Sequence, residues 1–404
     1  MRSLGRPLVI AFFPTAGAMA VLACAADVDV ELGNEQPPSL LDGGVEAAAP
    51  DAISDAQDAG NVQRCSASGL CIVEAPIDTR INVTSVSGSG PNDVWGVGTS
   101  RTIIHYNGSA WEKASPIPND AASFTMRAVW VGGPSDVWIA DGPMVRHSTG
   151  WKGPSATEWE ATSLTGTAGV TLATPGAISG KDGTVVIGRQ LPHGSDEYET
   201  PMVTAAGWGA DGLVEPVYVE SNLFTGYVRG GVWAIAMTRP DEVWMTNVPT
   251  DLDSANRVVR AQLVSPDAGE PEAGPSWQTT AYDSRTERNL YGVWGNAEAV
   301  WLVGEGGVLR RMTPAGMASR VFETIPSPVN ADLRGVYGFS ANDVWAVGDD
   351  ATVIHWNGEA WTKIASPFDT ADEKPRLFAV WGSSPNDVWI GGNGVMLHFE
   401  GKAP

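Results

Sequence analysis

Histidine and carboxylate side chains are the residues of this chain whose spacing invites a chemical reading. Five His stand among 47 Asp and Glu, and four of them (His105, His147, His355 and His398) recur nine or ten residues after a Val-Trp pair. Imidazoles and carboxylates gathered in space could hold a metal ion. Two carboxylates facing across a cleft could serve as the acid and nucleophile of a glycosidase. Which chemistry is open depends on the elements that carry these residues.

The carriers are repeats. Val94-Trp95, Val137-Trp138, Val243-Trp244, Val300-Trp301, Val344-Trp345 and Val388-Trp389 share one pattern, with an acid directly before the Val in five: Asp93, Asp136, Glu242, Asp343 and Asp387. The Trp-to-Trp steps are 43, 106, 57, 44 and 44 residues, so the long step reads as two units run together. Laying Asp182–Gly188 on Asn342–Gly348 puts Val185 where the missing Trp belongs and brings the count to seven. The clearest unit predicts four short strands, Leu333–Gly338, Asp343–Gly348, Thr352–Trp356 and Ala360–Ala365. Each is rich in β-branched or aromatic residues and bounded by Gly, Asn, Asp, Ser or Pro. Four strands per unit of this period predict an all-β, seven-bladed β-propeller. The seventh unit ends after Val395–Phe399 without a fourth strand, and Leu70–Pro76 precedes the first unit without partners. An N-terminal strand completing the last blade would close the ring and remove exposed edges.

That architecture disperses the candidate chemistry. Each strand histidine belongs to a different blade, so a shared metal site is excluded; His193 lies in an irregular insertion. The Val-Trp tryptophans are expected to pack between blades, because burying an aromatic ring contributes enough to explain their recurrence. The acid before each Val suits a turn, its side chain accepting bonds from nearby backbone amides; a ring of calcium ligands is the alternative. No nucleophile elbow, phosphate loop or His-Glu-x-x-His motif occurs. No cofactor is indicated, and no single carboxylate pair can be picked from so acidic a chain.

Lys and Arg number 25 and the net charge is −22, which opposes nucleic acid and anionic lipid headgroups. Residues 1–23 carry two arginines and then an uncharged apolar run ending Val21-Leu22-Ala23 before Cys24. This is a secretory signal, and Val-Leu-Ala-Cys resembles the bacterial lipobox, which implies acylation of Cys24. An ordinary signal peptide with an incidental Cys is the alternative. Ala25 follows the Cys, so resemblance to bacterial lipoproteins implies an outer-membrane or surface anchor. Residues 24–63 contain nine acids and no Lys or Arg, the composition of a disordered acidic tether. Residues 64–404 form the propeller. Cys65 and Cys71 are expected to pair in an oxidising compartment; two free thiols are the alternative.

The repeat sequences, such as SSPNDVWIGG and SANDVWAVGDDATVIHWNGEAWTKIASP, resemble those of secreted bacterial, myxobacterial-type β-propeller lipoproteins. The resemblance covers residues 65 to 404, least in the third unit. It implies fold and envelope location, and carries no catalytic residues over.

Function is then expected on the face that bears the second-to-third and blade-to-blade connections, since variable loops on a rigid scaffold hold binding groups. Its candidates are Asp196, Glu197, Tyr198, Asp251, Asp253, Asp283, Arg285, Arg288, Asp372, Glu373 and Lys374. Tyr and Arg are the types enriched at binding hot spots; a solvated acidic rim is the competing explanation. The expected function is a noncatalytic, envelope-anchored binding or adhesion module for protein or glycan, with a monomeric propeller. Alternatives are an enzyme acting on polysaccharide, of glycosidase or lyase type, and a scaffold in an outer-membrane complex. Carboxylates or arginines converging in the central channel would favour the enzyme; a broad loop surface would favour binding.

Overall fold

In the computed structural model, described residues are 64–114, 124–164, 174–190, 202–219, 231–247, 257–265 and 274–401. Cys24 and the segments assigned to signal and tether lie outside them, as do Asp196, Glu197, Tyr198, Asp251, Asp253 and His193.

The chain forms seven four-stranded antiparallel sheets, the blades of a propeller. Blades 1 to 6 each use four strands in chain order, whereas blade 7 takes its outermost strand, Leu70–Val73, from the N-terminal end. That strand pairs antiparallel with Val395–Glu400 in the register Leu70 to Phe399 and Val73 to Met396. The ring closes as the sequence predicted, and Leu70 and Phe399 are both fully buried. Cys65 and Cys71 are joined in a disulfide at the entry to the closing strand. Blade 6 follows its expected boundaries closely, with strands Leu333–Ser340, Asp343–Gly348, Val353–Trp356 and Trp361–Lys363. Blade 3 adds a small hairpin, Trp208–Gly209 with Gly212–Leu213.

Blade 3 also corrects the alignment. Thr184 follows a tight Asp182-Gly183 turn, and the strand pairs regularly through Gly180 to Val185 and Ser179 to Val186. Blades 1, 2, 6 and 7 carry a β-bulge just before this turn, as between Gly88 and Gly90. That bulge is absent from blade 3, but counted from the turn Thr184, Val185 and Val186 match Asp343, Val344 and Trp345. Val186, not Val185, therefore takes the Trp position, and it is fully buried.

The six tryptophans are at most 1% exposed. Their strand is the second of each blade and is covered on both faces by neighbouring sheets. Most of the rings meet aromatic residues of the following blade edge-on: Trp301 lies 5.3 Å from Trp361 at 86°, and Trp389 lies 5.2 Å from Trp111 at 82°. Edge-to-face contact sets the positive ring edge against the negative ring face. Glycines on the innermost strands permit similarly close approach. A Cβ on Gly338 would lie 2.7 Å from the Trp294 ring of the preceding blade.

The acids before Val-Trp have a different job from the one expected. Asp93 accepts hydrogen bonds from the Trp95 indole at 3.0 Å, from His105 Nε2 at 2.7 Å and from Ser89 at 2.5 Å. Its partners are side chains rather than turn amides, because the two middle strands place Trp95 directly across from His105. His147 bonds Asp136, His355 bonds Asp343, and His398 bonds Asp387 in the same way. Each of these four histidines is held by its own blade, and no three His, Cys, Asp or Glu side chains converge among the described residues.

Candidate functional site

The seven innermost strands line the central channel. Each begins at the face that carries the long connections, because antiparallel strands in chain order put the second-to-third and blade-to-blade links on one side. The second residue of each innermost strand, or the third in blade 3, is a β-bulge. In blade 1 the pairing skips from Val83 to Ser85, passing Thr84, and in blade 2 it skips Arg127. Blades 3 and 4 skip Gly176 and Trp233. Blades 5, 6 and 7 skip Tyr291, Arg334 and Phe378. A bulge re-aims the extra side chain out of the regular alternation. All seven bulge residues, with Thr125, line one cavity of about 230 Å³ at the mouth of the channel.

The ring has two unlike halves. On one side Arg334 stands between two aromatic neighbours, its guanidinium 5.2 Å from the Tyr291 ring and 6.0 Å from Phe378. Nε and Nη2 of Arg334 donate to the two oxygens of Asp349 at 2.5 and 2.7 Å, with Asp332 a further 3.5 Å contact. That charge is already matched. Burial raises the Tyr291 hydroxyl above its ordinary pKa, and the charge of Asp332 adds to the effect, so the phenol stays neutral.

On the other side Arg127 and Trp233 flank Gly176, which contributes no side chain. Arg127 is exposed and makes no ion pair with another described residue. Trp233 is 42% exposed, its ring 6.1 Å from Tyr291. An open guanidinium and an open indole on either side of a gap can take a carboxylate together with an apolar group.

The described residues among those singled out from the sequence lie on the same face but do not line this ring. Asp283, Arg285 and Arg288 occupy the link from blade 4 to blade 5. There Asp283 accepts the Arg285 amide at 2.7 Å, and Arg288 donates to the Gly306 carbonyl at 3.2 Å. Asp372, Glu373 and Lys374 are exposed on the link from blade 6 to blade 7. The structure does not bring the two groups together. The ring itself had a signal in the sequence. Met-Arg-Ala at 126, Val-Trp-Ala at 232, Leu-Tyr-Gly at 290, Leu-Arg-Gly at 333 and Leu-Phe-Ala at 377 repeat as apolar, large, small.

Fold and channel together define a seven-bladed β-propeller with a side-chain ring at one mouth. Among solved structures it is similar to YCF48 bound to D1 peptide, at a TM-score of 0.58 and 15% identity over 84% of this chain and 98% of that one. YCF48 from Cyanidioschyzon merolae gives 0.57 and 15%, covering 82% and 99%. The WD40 propeller domain of Doa1 gives 0.55 and 12%, covering 84% and 98%. At these identities the likeness is one of fold. No family model and no curated protein matches the sequence.

Proposed function

We propose that the protein is a noncatalytic interaction module of the cell envelope, and that the channel mouth captures a carboxylate-bearing segment of a protein partner. The observation that carries this reading is the pair Arg127 and Trp233, open to solvent on either side of Gly176. An exposed indole at a concave centre and an unmatched guanidinium are the types of group that dominate binding energy. The peptide-bound YCF48 structure supports the reading by showing that a propeller of similar fold takes a peptide ligand.

Arginines in the channel also bear on a polysaccharide-cleaving activity. Of the two acids near Arg334, Asp349 is held bidentately and Asp332 has its own contact. Neither is poised as a free acid or base, so the binding reading accounts for more of the site. The lipobox-like Val21-Leu22-Ala23-Cys24 and the acidic stretch after it support a lipid anchor and a tether that holds the propeller off the membrane.

Peptide libraries with free and amidated C termini, and a glycan array, test the proposal on wild type, Arg127→Ala and Trp233→Ala. Carboxylate-dependent peptide binding lost in both variants is expected. Glycan turnover, or peptide binding indifferent to both substitutions, would overturn it. Mass spectrometry showing an unmodified Cys24 in the mature protein would remove the anchor.

A further inference from the structure

The junction where the ring closes differs from those between blades 1 and 2 and between blades 2 and 3 in one respect. At the junction of blades 1 and 2, His105 stacks on Trp151 with centroids 4.4 Å apart and planes 20° apart. At the junction of blades 2 and 3, His147 stacks on Trp208 at 5.3 Å and 16°. Both indoles come from the connection between the third and fourth strands of the following blade. The corresponding connection of blade 1, which faces His398 of blade 7, is the short turn Asn107–Ala110 and carries no aromatic residue. His398 is instead stacked on Trp389 of its own blade, with centroids 3.6 Å apart and planes 10° apart, and where a following-blade indole would lie there is a cavity of about 580 Å³, bounded by His398, Trp389, Tyr106, Trp111 and the turn.

The rim of this cavity is mostly acidic. Glu400 lies 3.2 Å from His398 Nδ1 with its side chain 78% exposed, and Glu74 also lines the opening, against one cation, Arg64. The field reaches the interior. Burial raises the Tyr106 hydroxyl above its ordinary pKa, and the charges of Glu400 and Asp387 push it further the same way. Residues 25–63 contain no aromatic residue, so the segment leading into Arg64 cannot supply the missing ring.

We propose that this closure cavity binds a planar aromatic ring bearing a nearby ammonium group, delivered by another molecule and seated where blades 2 and 3 carry Trp151 and Trp208. The ring stacks against the face of His398 turned away from Trp389, and the ammonium meets Glu400 and Glu74. The ligand class is an aromatic amine. It can be a free small molecule or the N-terminal aromatic residue of a polypeptide. This site is independent of the channel mouth and lies elsewhere on the ring.

The histidines make the test specific. In the full chain, imidazole NMR signals are followed during titration with tryptamine, with indole-3-acetate, and with a Trp-initiated peptide in free and N-acetylated form. Tryptamine should shift the His398 signal, while those of His105 and His147, capped by Trp151 and Trp208 of the following blades, stay in place. Glu400→Gln should weaken tryptamine by about threefold, the scale of an exposed charge pair. Ser109→Trp, which plants an indole on the short turn, should abolish binding with the melting temperature retained. A response to the free but not the acetylated peptide marks a polypeptide N terminus as a source, whereas a response to tryptamine alone restricts the source to small amines. The proposal fails if no His398 shift appears at millimolar tryptamine. It also fails if indole-3-acetate binds as tightly as tryptamine, or if His105 and His147 respond equally.

Discussion

Nε2 of His398 lies 2.6 Å from Oδ1 of Asp387, tying the third strand of blade 7 to the start of its second. The same tie recurs in blades 1, 2 and 6. In blade 4 an arginine replaces the imidazole: Arg260 stands across from Trp244 and donates through Nε to Glu242 at 2.6 Å. Blade 5 has Ala299 where the acid would be, and Arg311 sits over the rings of Trp301 and Trp356 instead, at 5.4 and 5.8 Å. A basic residue opposite the tryptophan is thus the constant, and the acid is its usual but not obligatory partner.

Asp93→Ala should therefore destabilise the protein by about 1–3 kcal/mol, since it strands the His105 and Trp95 donors in a largely dry site. Chemical denaturation checks the size. A double-mutant cycle with His105→Ala should show a coupling of about 0.5–3 kcal/mol, and strict additivity would mean the bond contributes nothing.

Acid should act through the same carboxylates. Burial alone would raise Asp93, but hydrogen bonds from His105, Ser89 and Trp95 outweigh it and hold the carboxyl below its ordinary value. Asp387 is held down likewise by His398 and Ser383, and Glu242 by Thr238 and Arg260. A depressed folded value means that the stabilisation is complete above the unfolded pKa of about 4 and is lost as pH falls through the folded values. Denaturant midpoints measured from pH 7 to pH 2 should fall steeply below about pH 4. Glu242→Gln should make that fall shallower.

At the channel mouth the two arginines should part company. Arg127→Ala should change stability by less than about 0.5 kcal/mol, as exposed positions without partners do. Arg334→Ala should cost more, because Asp349 loses a bidentate partner and two aromatic rings lose a cation. Thermal melts of both variants decide the matter, and equal losses would contradict the division of the ring into two halves.

Much of this was legible in the sequence. The Val-Trp period and the orphan segment at Leu70 fixed the blade count and the closure, because burying one large ring per junction leaves a strong periodic mark. The acids and histidines were visible, but their pairing was not. It depends on which residues stand across from one another in adjacent strands, and no spacing along the chain states that. The one-residue error at Val185 came from matching Asp182-Gly183 to Asn342-Asp343, although Asp182-Gly183 is itself the two-residue turn that corresponds to Ala341-Asn342. The channel ring was obscured because a bulge is a backbone feature with no letter of its own. Its side chains face the axis because each innermost strand bulges near its start.

The closing strand sets the last of the expected effects. Leu70→Ala empties a fully buried position in blade 7 and should cost about 2–5 kcal/mol. Reducing the Cys65–Cys71 bond should cost about 2 kcal/mol, the value for so short a loop. Calorimetry on each form checks both, and an unchanged melting profile for Leu70→Ala would show that the closure is not cooperative with the ring.

Closure also gives the chain an order of events. Leu70–Val73 is made well before Val395–Glu400, yet they are partners in one sheet. Loop-closure entropy makes such distant pairing the slow step of folding. A nascent chain can build blades one after another but cannot complete the circle until Val395–Glu400 has been made. A chain cut short within blade 7 would leave Leu70–Val73 without its partner, so an unpaired first strand would report an unfinished ring.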